Sequence, residues 1–164
     1  MSTTFEYEQA FPADIATVTT MISDPAYVQE KGQRTGSHDV SVEVVASDDG
    51  GFVITSTRSM PAKVPSFAAP FVGDTITVTE VQTWGPPADD GSASASVTVA
   101  FNSPIAYEGT IELTADGAAT RAMNAGEFKA GIPFLSGKVE RVAADQTERY
   151  LAKEVVVAEE WLAR

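Results

Sequence analysis

From residue 38 to residue 130 the chain alternates apolar and polar residues with a period of two, which dictates a sheet with one buried face. Val40, Val42, Val44 and Ala46 share one side, with Asp39, Ser41 and Glu43 on the other. Asp48-Asp49-Gly50-Gly51 is a turn sequence, so residues 38–46 and 52–59 read as a hairpin. The pattern returns over 74–84, 93–101, 107–114 and 119–130, interrupted by the strand-breaking loop Gly85-Pro86-Pro87-Ala88-Asp89-Asp90-Gly91 and the turn Ala115-Asp116-Gly117-Ala118. An earlier strand over 4–11 sets Phe5, Tyr7, Gln9 and Phe11 against Thr4, Glu6, Glu8 and Ala10. A sheet that is apolar on one side only needs a cover.

The cover is encoded after Pro133. Leu135, Val139, Val142, Gln146, Tyr150, Val157 and Trp161 recur at steps of three, four or seven, predicting one long helix with Glu140, Asp145, Glu148 and Glu159 on its polar side. Between the first strand and the rest, Pro12 predicts the start of a helix bearing Ile15, Val18, Met21 and Ile22. Ser23-Asp24-Pro25 opens a second helix, with Tyr27 and Val28 as its apolar contacts and Gly32 and Gly36 as its end. The 164 residues contain no internal repeat and no linker, so residues 1–164 read as a single domain. The expected class is α+β: a curved antiparallel sheet of about seven strands in the order strand, two helices, six strands, helix, wrapped on the C-terminal helix.

Net charge is −12, and residues 1–120 hold four basic against sixteen acidic residues, whereas 121–164 hold seven of each. Such a surface repels a polyanion, which excludes nucleic acid as a partner. The absence of cysteine removes disulfides and thiolate chemistry. No apolar run approaches the length of a membrane span and no leader pattern opens the chain, so a cytoplasmic location is expected.

The element order resembles the START/Bet v 1-like superfamily, the SRPBCC or helix-grip proteins, over essentially the whole chain. Two segments are similar to a narrower, uncharacterised bacterial family, domain of unknown function family 2505. One is Gly131-Ile132-Pro133-Phe134-Leu135-Ser136-Gly137-Lys138-Val139-Glu140. The other runs from Met60-Pro61 through Pro65 and Val72-Gly73-Asp74 to Glu80-Val81-Gln82-Thr83-Trp84. The superfamily resemblance implies a cavity for lipids, sterols, polyketides or other small apolar molecules; some members are cyclases or aromatases. The narrower family has no established activity, so no catalytic residue carries over and no cofactor is implied.

The residues themselves point the same way. A long sheet wrapped on one helix leaves a hollow between them, and a binding site there needs a few hundred Å³. Tyr7, Tyr107, Phe128 and Tyr150 are expected to line it, with Arg58, Glu80, Gln82 and Asn124 meeting a ligand's polar end. Glu80 and Gln82 share parity with Ile76 and Val78, and Arg58 with Phe52 and Ile54, so Arg58 and Glu80 can form an inward ion pair. A bulge between 80 and 82 would instead turn Glu80 outward. Gln9 and Gln146 are further inward polar positions, each needing a partner if buried. The segment 60–73 has three prolines, yet Met60, Val64, Phe67 and Phe71 in it call for burial; it reads as a flap in which Phe67 and Phe71 close the hollow, either as a gate or as a tucked connection. The expected function is binding of a hydrophobic small molecule or lipid. One alternative is a cyclase-like, aromatase-like or hydrolytic enzyme using Glu80, Tyr107 or His38, the only histidine; the other is an interaction domain with a vestigial cavity.

Overall fold

The computed structural model describes residues 2–164. Its elements are β1 (Thr3–Phe11), α1 (Ile15–Ile22), α2 (Pro25–Arg34), β2 (His38–Ala46), β3 (Phe52–Pro61), α3 (Ala69–Val72), β4 (Thr75–Trp84), β5 (Ala93–Phe101), β6 (Ile105–Asp116), β7 (Ala119–Ala130) and α4 (Ser136–Leu162). The seven strands form one curved antiparallel sheet in the order β1-β7-β6-β5-β4-β3-β2, as the alternation predicted. Its two edge strands are shielded: α4 packs on β1 and β7, and α2 packs on β2, where Gln29 Nε2 donates to the Val40 carbonyl at 3.0 Å.

The pairing register aligns side chains in rows across the inner face. One row reads Phe128, Tyr107, Val99, Glu80, Ser56; the next reads Gly126, Gly109, Val97, Gln82, Ile54; a third reads Asn124, Ile111, Ala95, Trp84, Phe52. The middle row begins with two glycines, and the Tyr107 ring lies over them. A β-carbon on Gly109 would stand 2.5 Å from the Tyr107 hydroxyl oxygen and 2.3 Å from the Ala125 carbonyl oxygen. One on Gly126 would stand 2.6 Å from the same ring and 2.4 Å from the Glu108 carbonyl oxygen. Both strands therefore approach more closely there than any other residue permits.

The core falls into two apolar clusters. One gathers Phe11, Val18, Met21, Tyr27, Ile54, Trp84, Leu113 and Val157 under α1 and α2. The other gathers Phe5, Val97, Ile105, Tyr107, Phe128, Ile132 and Val139, with Phe67, Phe71 and Leu135 packed against it.

Several local expectations are corrected. The first helix starts at Ile15, not Pro12, because Asp14 caps it by accepting from the Thr17 amide at 2.8 Å. Gly32 does not end α2; it lies inside the helix, where a β-carbon would meet Val40 at 3.0 Å. Part of the 60–73 segment is ordered, as the end of β3 and the single turn α3. On α4 the predicted stripe faces inward at Leu135, Val139, Val142, Tyr150, Val157 and Trp161, with two exceptions among its polar residues. Gln146 is exposed, whereas Glu140 is buried, accepting from the Ala130 amide at 2.9 Å and the Thr3 hydroxyl at 2.8 Å. A carboxylate here meets a backbone donor at the end of β7 and clamps α4 to both β1 and β7.

Replacing Gly126 or Gly109 by alanine is expected to lower unfolding free energy by about 1–3 kcal/mol or more, the cost of overpacking a closed site. Urea denaturation measures it; an unchanged midpoint would contradict the close approach described above.

Candidate functional site

Between the two apolar clusters runs a belt of polar side chains. On β4, Glu80, Gln82 and Trp84 point inward two residues apart, so the regular strand prevails over the bulge considered for residues 80–82. The Trp84 indole donates to Gln82 Oε1 at 2.9 Å, and Gln82 Nε2 donates to Glu80 Oε2 at 2.7 Å. On neighbouring β3, Arg58 Nη1 donates to Glu80 Oε1 at 3.1 Å, the pair that residue parity anticipated. The Arg58 guanidinium also lies 4.9 Å from the centre of the Tyr150 ring on α4, a cation–π contact across the interior.

A second group faces it from the helices. Lys31 Nζ of α2 pairs with Glu154 Oε2 of α4 at 2.8 Å. Gln9 Nε2 donates to Glu154 Oε1 at 2.9 Å and to the Leu151 carbonyl at 3.0 Å, while Asn124 Nδ2 donates to Gln9 Oε1 at 3.1 Å. The two groups share a cleft lined by Gln9, Lys31, Ser56, Glu80, Gln82 and Glu154 on its polar side and by Tyr27, Ile54 and Trp84 among its apolar walls. Its enclosed volume is about 30 Å³, room for a water molecule or so. Among the described residues this cleft is no hollow of a few hundred Å³, because the chain's own aromatic and polar side chains take up its space.

The electrostatics bind the belt together. Burial opposes the charge on Glu80, but Arg58, Lys31 and the Gln82 hydrogen bond outweigh it and hold the carboxyl below its ordinary value of 4.5. Burial likewise opposes the charge on Lys31, and Glu154 with the neighbouring phenols and Glu80 overcomes it, so the ammonium is held well above 10.5. Burial and the Glu80 charge push the Tyr107 phenol up to about 12; burial and Glu154 push the Tyr27 phenol up as well. Four buried side-chain donors have no hydrogen-bond partner among the described residues: Ser37 Oγ, between α2 and β2, and three in the interior, Arg58 Nε and the hydroxyls of Tyr27 and Tyr150. Leaving such groups unsatisfied is costly.

The predicted ligand contacts separate into three sets. Arg58, Glu80, Gln82 and Tyr150 meet in the belt. Tyr7, Phe67, Phe71, Tyr107 and Phe128 belong to the second apolar cluster, beside the 60–73 segment. Asn124 is engaged by β1, donating to Gln9 and, at 3.1 Å, to the Tyr7 carbonyl. His38 lies outside the interior: it is exposed beside Asp39, whose φ of +52° breaks the register at the start of β2 and cancels the parity argument. Lys31 and Glu154 carry half of the belt and were not anticipated; charged residues on a helix announce no inward direction in sequence.

Residues 6–162 match the model of a family described as a protein of unknown function, DUF2505. No curated protein matches the chain in sequence. Among solved structures, it is similar to the Zhui aromatase/cyclase from Streptomyces sp. R1128, with a TM-score of 0.66 at 13% identity over 99% of this chain and 96% of that one. It is similar to a START superfamily protein from Mycobacterium smegmatis, with a TM-score of 0.61 at 14% identity over 97% and 98% of the two chains. It is also similar to norcoclaurine synthase from Thalictrum flavum, with a TM-score of 0.59 at 13% identity over 100% and 96%. At these identities the likeness establishes the helix-grip fold.

The lowered carboxyl of Glu80 sets a pH dependence. A group whose folded value lies below its unfolded one stabilises fully above the unfolded value and loses that contribution as pH falls through the folded value. Stability is therefore expected to decline below pH 4.5, in part through Glu80. Glu80→Gln should cost about 3 kcal/mol at pH 7 by stranding Arg58, with the two proteins converging in acid. Parallel stability curves for the two would contradict the pairing.

Proposed function

This chain belongs to the DUF2505 family of proteins of unknown function, and we propose that it is a binding protein that holds a small, largely apolar molecule or lipid between its sheet and α4. The observation that carries this reading is three of the buried, partnerless donors: Tyr27 Oη in the cleft wall, and Arg58 Nε and Tyr150 Oη in the belt that adjoins it through Glu80. A core built only for stability has no use for them, since an apolar side chain of equal volume avoids the desolvation cost. A ligand carrying one acceptor group, a carbonyl or carboxylate, satisfies them while its apolar body lies against the walls. The relatives of the same fold named an aromatase/cyclase, a START protein and norcoclaurine synthase support a small-molecule role.

The ligand enters only if the interior widens. The segment 62–74 suits that role: apart from the single turn α3 it is irregular, and Val64, Phe67 and Phe71 are only half-buried. Binding rather than catalysis fits the titrating groups. Glu80 is held ionised by Arg58 and Tyr107 keeps its proton to about pH 12, so neither is poised to exchange a proton near neutrality. The small enclosed volume favours a second reading, an interaction domain whose interior is filled and whose surface carries the function.

The two readings separate in one experiment. Anilinonaphthalene sulfonate, an apolar dye with an anionic acceptor group, should bind saturably, and native mass spectrometry of the purified protein should find a retained mass. Tyr150→Phe, which removes one partnerless donor, should weaken dye binding by about tenfold, the worth of a hydrogen bond to a charged group. A protein with no retained mass and no saturable dye uptake leaves the interaction reading in place.

A further inference from the structure

Antiparallel connectivity sends successive connections to opposite ends of the sheet, and here it sorts the charge. The turns 47–51, 85–92 and 116–118 lie at one end and carry Asp48, Asp49, Asp89, Asp90 and Asp116 without one basic residue. The other end is formed by the β3–β4 connection, the β5–β6 turn and the β7–α4 junction. Over residues 62–74 and 129–141 it exposes Lys63, Lys129, Lys138 and Arg141 against one exposed carboxylate, Asp74, since Glu140 is buried. Asp39 and Glu127 flank this end along the strands.

At the centre of the basic end stands Phe134. It is 105% exposed, in a chain whose other aromatic rings are buried or half-buried. Its φ of +65° is a left-handed conformation that bulky residues avoid, and it persists only where the surroundings impose it. They do so here. The Ser136 hydroxyl lies 2.8 Å from the carbonyl oxygens of both Ala130 and Ile132, with its one proton to donate between them, and accepts from the Ile132 amide at 3.1 Å. The Leu135 amide donates to the Ile132 carbonyl at 3.2 Å, and Glu140 holds the Ala130 amide. Ile132 is buried and Leu135 half-buried, so the turn is anchored from below and projects one ring outward. Lys138 reaches from this turn over the Phe67 ring of the 60–73 segment, 5.8 Å from its centre.

We propose that this end is a docking surface for an anionic lipid bilayer, with Phe134 entering the headgroup–acyl boundary and Lys63, Lys129, Lys138 and Arg141 facing the lipid phosphates. A rigidly presented aromatic ring amid cations suits an interface that is apolar within and negative at its surface. The net charge of −12 does not forbid it. Strands of up to 12 residues place the acidic turns about 40 Å away, several times the Debye length of about 8 Å at physiological salt. Docking would set the half-buried Phe67 and Phe71 against the bilayer, yet it stands or falls independently of any ligand held inside.

The test is cosedimentation of the full chain with vesicles of phosphatidylcholine alone and of equimolar phosphatidylcholine and phosphatidylglycerol. The wild type should bind the anionic vesicles, bind the neutral ones far less, and dissociate in high salt. Phe134→Ala and the pair Lys138→Glu with Arg141→Glu should each weaken binding by about tenfold, whereas Asp89→Asn with Asp90→Asn, at the far end, should leave it intact. Phe134→Trp should bind and shift its fluorescence to the blue on anionic vesicles. No binding by the wild type, binding indifferent to Phe134, or a dimer that Phe134→Ala converts to monomer would each overturn the proposal, the last by making the ring a contact between copies of this chain.

Discussion

One helix cannot cover seven strands. Strands spaced about 4.8 Å apart give a sheet about 30 Å wide, and a helix with its side chains spans about 10 Å. In this fold α4 packs on β1 and β7, α1 on β6 and β7, and α2 on β2 at the far edge. The strip between them has no backbone element above it. Curvature narrows that strip, and long polar side chains fill what curvature leaves: Arg58, Glu80 and Gln82 rise from the sheet to meet Lys31, Glu154 and Tyr150 from the helices. The belt, the cleft beside it and the split of the core into two clusters all follow from this mismatch of widths.

Charges in that position are tolerable only as a network. Arg58 is buried, Lys31, Glu80 and Glu154 are partly so, and each has a counter-charge within hydrogen-bond reach, so desolvation is offset pair by pair. Apolar residues could have filled the same strip more simply. Partnerless donors mark where satisfaction of the network is incomplete, and two of them, Arg58 Nε and the Tyr150 hydroxyl, belong to side chains that meet between the sheet and α4.

Most of the architecture was legible because alternation is an unambiguous signal when it persists over six strands, and the inward Arg58–Glu80 pair was legible because parity fixes the face of each residue within its own strand. What escaped notice has physical causes. Glu140 is buried to meet the Ala130 amide, a demand created only when β7 ends against α4. Lys31 and Glu154 point inward because two helices converge there, which no periodicity of either helix records. His38 lost its parity at a single left-handed residue, Asp39. The size of the interior was invisible too, since the same alternating pattern serves a hollow sheet and a filled one.

That last ambiguity returns to Tyr107 and the two glycines beneath it. Phe5 meets both Tyr107 and Phe128 edge to face, those two rings are tilted by 45° to each other, ring centres lie 4.8–6.1 Å apart, and the missing side chains of Gly109 and Gly126 are what let the Tyr107 ring lie over them. Three rings seated on a glycine floor fill this part of the interior, so its packing depends as much on two side chains that are missing as on the three that are present.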